Sequence, residues 1–291
     1  MAKISYSQWT TWKRCGHFWK LKYVEGPRID DTSIDTMFGK VMHEVIQDWW
    51  KDVFDKSEGY ANSQDRTDQI KNKLIAGFSE ATILSENGQS IYLCDKPTLI
   101  EYFNHGVLIM EYLQKYRKKI FPTKNVELVG IELELEWELK PGVMFTGFID
   151  IVTENKDTGK ITLYDLKTSK TGWNDYAKKD TTKIAQLLLY KRIYSKMFKV
   201  PEALIDVEYL ILKRIISEST EYHIPRVSRF VPANGTISVN KAYSGLMEFV
   251  DQCFNEDGSY NTLSTDPSPS KSACRFCPYK TMKDKCSVGV K

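Results

Sequence analysis

The sequence predicts an α/β protein: a mainly helical portion over residues 1–120, a sheet with helices against it over 121–256, and a cysteine-bearing tail over 257–291. Three observations carry this. Apolar residues recur at helical spacing before Pro122, the period switches to two after it, and Cys274, Cys277 and Cys286 crowd into the tail. One domain of 291 residues is expected.

The elements follow in order. "SYSQWTTWKRCGHFWKLKY" opens with Ser5 and Gln8 at the spacing of a capping box, and Trp9, Trp12 and Cys15 then fall near one helix face. "MFGKVMHEVIQDWWKDVF" sets Phe38, Val41, Met42, Val45 and Trp49 on one side of a second helix. Residues 64–85 and 97–119 read as two more helices, separated by a loop holding Asn87, Gly88 and Pro97. In "GIELELEWEL", Ile131, Leu133, Leu135, Trp137 and Leu139 alternate with four glutamates, the mark of a strand with one wet face. A Pro141–Gly142 turn leads into the strand "VMFTGFIDIV", and "ENKDTGK" turns the chain into "ITLYDLKT". A helix over 182–198, strands near 205–213 and 219–230, and a helix near 239–254 complete the order.

Bulk properties narrow the function classes. A net charge of +3 permits a nucleic-acid partner without pointing to one, because an even balance can hide a basic groove. No apolar run approaches the ~18 residues of a membrane span, and the N-terminus lacks a signal-peptide core, so an intracellular, cytoplasmic protein without a membrane partner is expected. In a reducing compartment the clustered cysteines suggest metal binding more than disulfides.

The chemistry concentrates in two strands. Along "ITLYDLKTSK" the alternation puts Ile161, Leu163, Asp165 and Lys167 on one face, so a strand that starts toward a core ends in an acid and a base. If Lys156–Gly159 form the hairpin loop, positions summing to 315 pair, and Asp150 stands opposite Asp165. Two facing carboxylates weaken a sheet unless a cation lies between them. Hard oxygen ligands suit Mg²⁺ or Mn²⁺, and Lys167 would reach a metal-bound water or phosphate. An isolated Asp-x-Lys triplet would more often be a solvated ribbon; the second acid, at the end of the apolar "GFIDIV" run, favours a site.

With these residues the chain resembles the RecB-like branch of the PD-(D/E)xK nuclease superfamily. The N-terminal helix with Cys15, "GKVMHEVIQ", "QLLLY" and "CRFCPYKTMKDKC" resemble further motifs of that branch, in the expected order. The resemblance implies a restriction-endonuclease-like core with a mixed central sheet flanked by helices. It also implies a metal-dependent DNA nuclease, an exonuclease of recombination, repair or replication, with Asp150, Asp165, the Leu166 carbonyl and His43 as metal ligands. Lys167 would position or deprotonate water, and Gln186 and Tyr190 would orient substrate or the water shell. Glu132 resembles an acid on the preceding strand, but Glu134 fits almost as well, so both stay with the solvated face. Cys15, Cys274, Cys277 and Cys286 are implied to hold a [4Fe–4S] cluster that clasps the chain ends, with Zn²⁺ the alternative. Trp173 and Lys170, in the lysine-rich loop past the proposed site, are candidates for gripping DNA.

The competing class is a non-catalytic DNA-binding or scaffold protein of a recombination assembly; both acids and Lys167 stand against it. A recombination or replication protein partner and a phage or mobile-element setting are compatible with so short a nuclease.

Overall fold

A computed structural model describes residues 1–26, 33–84, 90–121, 124–216, 224–261, 265, 267–275 and 277–290. The N-terminal portion begins with a short strand β1 (Ala2–Ile4) and helices α1 (Tyr6–Arg14) and α2 (Gly16–Lys20), the latter continued by a π-helical turn at Leu21–Glu25. Helices α3 (Ile34–Asp55), α4 (Glu58–Ser63) and α5 (Arg66–Glu80) follow, then a small ribbon, β2 (Ile83–Leu84) with β3 (Ser90–Ile91), and helix α6 (Lys96–Ile120). Three long antiparallel strands come next: β4 (Val126–Lys140), β5 (Val143–Asn155) and β6 (Lys160–Ser169). Helices α7 (Asp175–Lys179) and α8 (Thr181–Phe198) lead to β7 (Ile205–Lys213) and β8 (Val227–Phe230), and α9 (Thr236–Cys253) and α10 (Lys271–Cys274) close the order.

Among the described residues, six strands form one mixed sheet in the order β1-β5-β6-β7-β8, with β4 paired to β5. The crossover through α8 makes β6 and β7 parallel, as a helix connection requires. The sheet separates two apolar layers. One packs α8, α9 and the N-terminal tryptophans against Ile161, Leu163, Val207 and Tyr209; the other packs α3, α5 and α6 against Ile151, Tyr164, Leu166 and Leu210. The expected mixed sheet flanked by helices is therefore present.

The structure departs from the sequence expectations at several points. The first helix does not run through Cys15: that residue is extended (φ −165°) and separates α1 from α2. Ser5 does cap α1, accepting from the Gln8 backbone N–H at 3.4 Å, but the Gln8 side chain donates to Lys3 instead of returning to the cap. The N-terminus is also a strand: β1 pairs in parallel with Val143–Phe145 of β5, a contact with no local signature. The last strand is shorter than 219–230: β8 spans Val227–Phe230, and residues 219–223 lie outside the described residues, as do Asn87 and Gly88. The last long helix starts at Thr236, three residues before the expected start.

The C-terminal tail docks on the N-terminal segment. His17 Nε2 lies 2.7 Å from the Lys285 carbonyl oxygen, and Phe18 meets Tyr279 edge-on. This apolar contact among Phe18, Leu21 and Tyr279 also receives Cys15, Cys277 and Cys286.

Candidate metal centre

The site forms where two paired strands part. Ile151 pairs with Tyr164 and Val152 with Leu163, so the hairpin register sums to 315 as expected, and Asp150 and Asp165 stand one step beyond the last paired residues. In place of a ladder bond there, the Leu166 backbone N–H donates to Asp150 Oδ2 at 2.5 Å. The carboxylate is thus fixed by backbone and does not swing on a free side chain. On the other side of β5, Ile131 pairs with Ile151 and Leu133 with Ile149, which puts Glu132 opposite Asp150.

Helix α3 supplies the roof. Ser33 caps its first turn, and the apolar stripe from Phe38 to Trp50 holds it on the sheet. His43 and Gln47, one turn apart, therefore face the strands. His43 Nδ1 lies 3.4 Å from Asp150 Oδ1, and Gln47 donates to Glu132 Oε1 at 2.5 Å. Gly39, one turn before His43, approaches Thr168 so closely that a Cβ there would lie 3.2 Å from Oγ1.

His43, Glu132 and Asp150 each present a ligand atom within 4.8 Å of the others. Glu132 is the residue that sequence reasoning left on the solvated face. Its backbone lies in the left-handed region (φ 48°), a conformation that costs a non-glycine residue roughly 1–2 kcal/mol. This backbone irregularity falls between the paired residues Ile131 and Leu133, at an exposed glutamate that Gln47 hydrogen-bonds. Periodicity assigns Glu132 and Glu134 to the same face, but only Glu132 is reached by Gln47.

Asp165 belongs to a second, adjoining pair. Lys167 Nζ donates to Asp165 Oδ1 at 3.0 Å; Oδ2 lies 2.8 Å from the same nitrogen but makes no hydrogen bond. Both oxygens of this carboxylate, in a residue 2% exposed, therefore have Lys167 as their one charged neighbour of opposite sign along the strand. Burial, opposed by Lys167 and reinforced by the Asp150 charge, pushes the Asp165 carboxyl up to about 6. For His43, burial acts to lower the pKa, but the hydrogen bond and charge of Asp150, with the Asp165 charge, outweigh it and the net shift is upward. The site therefore holds more negative charge than its own cations neutralise. A divalent cation fits the donors that converge here, carboxylate oxygens of Glu132 and Asp150 from two paired strands and the His43 imidazole, with the Asp165 carboxylate on the adjoining strand.

The remaining expected residues surround this centre from α8. Gln186 Nε2 donates to the Tyr190 hydroxyl at 3.3 Å, and that hydroxyl faces the Phe148 backbone N–H along the open edge of β5. Burial drives the Tyr190 phenol pKa upward, so it stays protonated. Gly147 makes this approach possible, since a Cβ there would sit 2.8 Å from Tyr190 Cε1. Gly147→Ala is expected to push Tyr190 back and destabilise the fold by about 1–3 kcal/mol. Urea unfolding of the variant checks it; an unchanged midpoint would show that the ring moves freely.

Trp173 and Lys170 lie farther along the chain. The Trp173 ring packs on Tyr209 (5.0 Å between centroids) and Phe230 (5.9 Å), with Lys183 Nζ 4.5 Å from its centroid. Lys170 is exposed, and its carbonyl accepts from Ile215. Cys15, Cys274, Cys277 and Cys286 line one cavity at the chain ends. Burial raises the Cys277 thiol pKa, and the other three cysteines act in the same direction. Among the described residues no three of these sulfurs lie within 4.8 Å of one another.

The family model described as the PD-(D/E)XK nuclease superfamily matches residues 3–282. No curated protein matches the chain. Among solved structures, one named "Crystal structure of SSO0001" is similar at 13% identity with a TM-score of 0.32, over 67% of this chain and 77% of that one.

Proposed function

Because the chain belongs to the PD-(D/E)XK nuclease superfamily, we propose that it is a Mg²⁺- or Mn²⁺-dependent deoxyribonuclease of the RecB-like branch, acting as an exonuclease in recombination, repair or replication. The observation that carries this reading is the juxtaposition of His43, Glu132 and Asp150 with the buried Asp165–Lys167 pair. In it, His43, Glu132, Asp150 and Asp165 hold the cation, with the Leu166 carbonyl as the backbone ligand of the same strand. The cation, when bound, supplies Lewis-acid stabilisation of phosphate oxygens and a more acidic water. Asp150 is oriented for this by the Leu166 N–H, and Glu132 by Gln47. Lys167 would deliver a positive charge beside the attacked phosphate and position the attacking water. Gln186 and Tyr190 remain neutral donors that orient the phosphate and its waters.

Digestion of 5′- and 3′-labelled single- and double-stranded DNA in Mn²⁺ tests the reading and determines polarity. Metal-dependent release of nucleotides from one end is expected. DNA left intact under every metal would sink it.

The four cysteines are proposed to carry a [4Fe–4S] cluster that clasps the chain ends. The four thiols line one cavity where the chain ends meet, which supports a shared metal group there. The clasp would close nearly the whole chain into one loop and so stabilise the fold by restricting the unfolded state. Anaerobically purified protein is expected to absorb near 400 nm and to lose that band in Cys277→Ser. A colourless protein containing stoichiometric zinc would overturn the cluster.

A further inference from the structure

Strand β5 is buried or half-buried along its length except at Phe148, which is 49% exposed. An aromatic side chain is the one large apolar group that this strand offers to solvent, and its position is specific. Phe148 lies two residues before Asp150, on the same side of the strand and about 7 Å along it. Across the ladder it stands opposite Glu134, as Asp150 stands opposite Glu132. Helix α3 covers the Asp150 end of this face through His43 and Gln47.

We propose that Phe148 is the platform on which the nucleobase next to the scissile phosphate stacks, so that the enzyme grips an unpaired strand end. This deepens the nuclease reading and rests on it. A phosphate at the Asp150 carboxylate leaves its attached nucleoside one nucleotide's reach away, which is the distance to the ring. Glu134, directly opposite, repels phosphate from the ring's flank, so the base is the part of the strand that can approach. A base has a π-face whatever its identity, and stacking on an aromatic side chain tolerates any sequence, as a nuclease moving along DNA needs. Stacking also demands that the base be unpaired, which favours single strands and frayed ends over intact duplex.

The test compares wild type, Phe148→Ala and Phe148→Tyr on single-stranded DNA in Mn²⁺, using intact oligonucleotides and ones with an abasic site flanking a mapped cut. Phe148→Ala is expected to lose on the order of 10- to 100-fold in kcat/KM on intact DNA, the worth of one stacked base. Phe148→Tyr should retain activity. The abasic substrate should cost wild type a similar factor and cost Phe148→Ala little more. Full activity of Phe148→Ala, or an undiminished abasic penalty in that variant, would overturn the platform while leaving the nuclease reading intact. Loss of self-association in Phe148→Ala with unchanged cleavage would overturn it in favour of a second copy of the chain. If wild type cleaves nothing, the nuclease reading fails by itself. The platform is then decided by binding of 2-aminopurine-labelled DNA: quenching that requires Phe148 supports it, and equal quenching in Phe148→Ala overturns it.

Discussion

Asp165→Asn is expected to cut metal-dependent cleavage by at least about a hundred- to a thousandfold, as loss of one group stabilising transition-state charge does, while making the metal-free protein more stable. The two effects have one cause. Asp165 is buried, and burial pushes its carboxyl up to about 6 from the ordinary 3.8 despite the Lys167 ammonium beside it. An acid whose folded pKa is raised costs no stability below pH 3.8, where it is protonated in both states. The cost grows as pH rises through 3.8 to 6, where the unfolded chain ionises first, and is full above pH 6. Removing the ionisable group should therefore gain about 1–2 kcal/mol at pH 7.5 in EDTA, after the lost Lys167 contact is subtracted, and almost nothing near pH 3.5. Denaturant midpoints at the two pH values measure this. An Asn variant less stable than wild type at pH 7.5 would show that Asp165 is there for the fold and not for a cation.

The second large effect concerns the roof of the site. Trp50 is fully buried on α3, with its ring against Phe121 (3.8 Å between centroids), Phe54 (5.2 Å) and Trp49 (5.5 Å). Trp50→Ala should cost about 3–5 kcal/mol, which for a chain of this size lowers the melting temperature by roughly 6–20 °C. Because His43 and Gln47 stand on the same helix within two turns of Trp50, the variant should also need more Mn²⁺ for half-maximal cleavage. A destabilised variant with unchanged metal requirement would mean that the His43–Asp150 contact survives without the packing beneath it.

The pattern of elements was legible because it is local. Period-two alternation located β4, β5 and β6, and the hairpin loop at 156–159 set a register that Ile151 and Tyr164 obey. That register, with the Asp-x-Lys triplet, was enough to bring Asp150, Asp165 and Lys167 to one place. His43 entered only through the resemblance of "GKVMHEVIQ" to a family motif, since its helix position alone suits a core histidine as well. Glu132 and Glu134 had nearly equal claims by resemblance, and only the pairing of β4 with β5 puts Glu132 beside Asp150.

Residue order dictates which side chains share a side of each element, since side-chain direction repeats every two or 3.6 residues. Which of those sides meet a partner depends on packing between elements distant in the chain. Glu132 and Glu134 are both exposed, yet only Glu132 receives a hydrogen bond from Gln47 of α3 and faces Asp150, whereas Glu134 pairs with Phe148. The parallel pairing of β1 with β5, the interruption of the first helix at Cys15 and the packing of Trp173 on Tyr209 depend likewise on partners far away in the chain. Such contacts are chosen by long-range burial and hydrogen bonding, and nothing within a few residues of them encodes the choice.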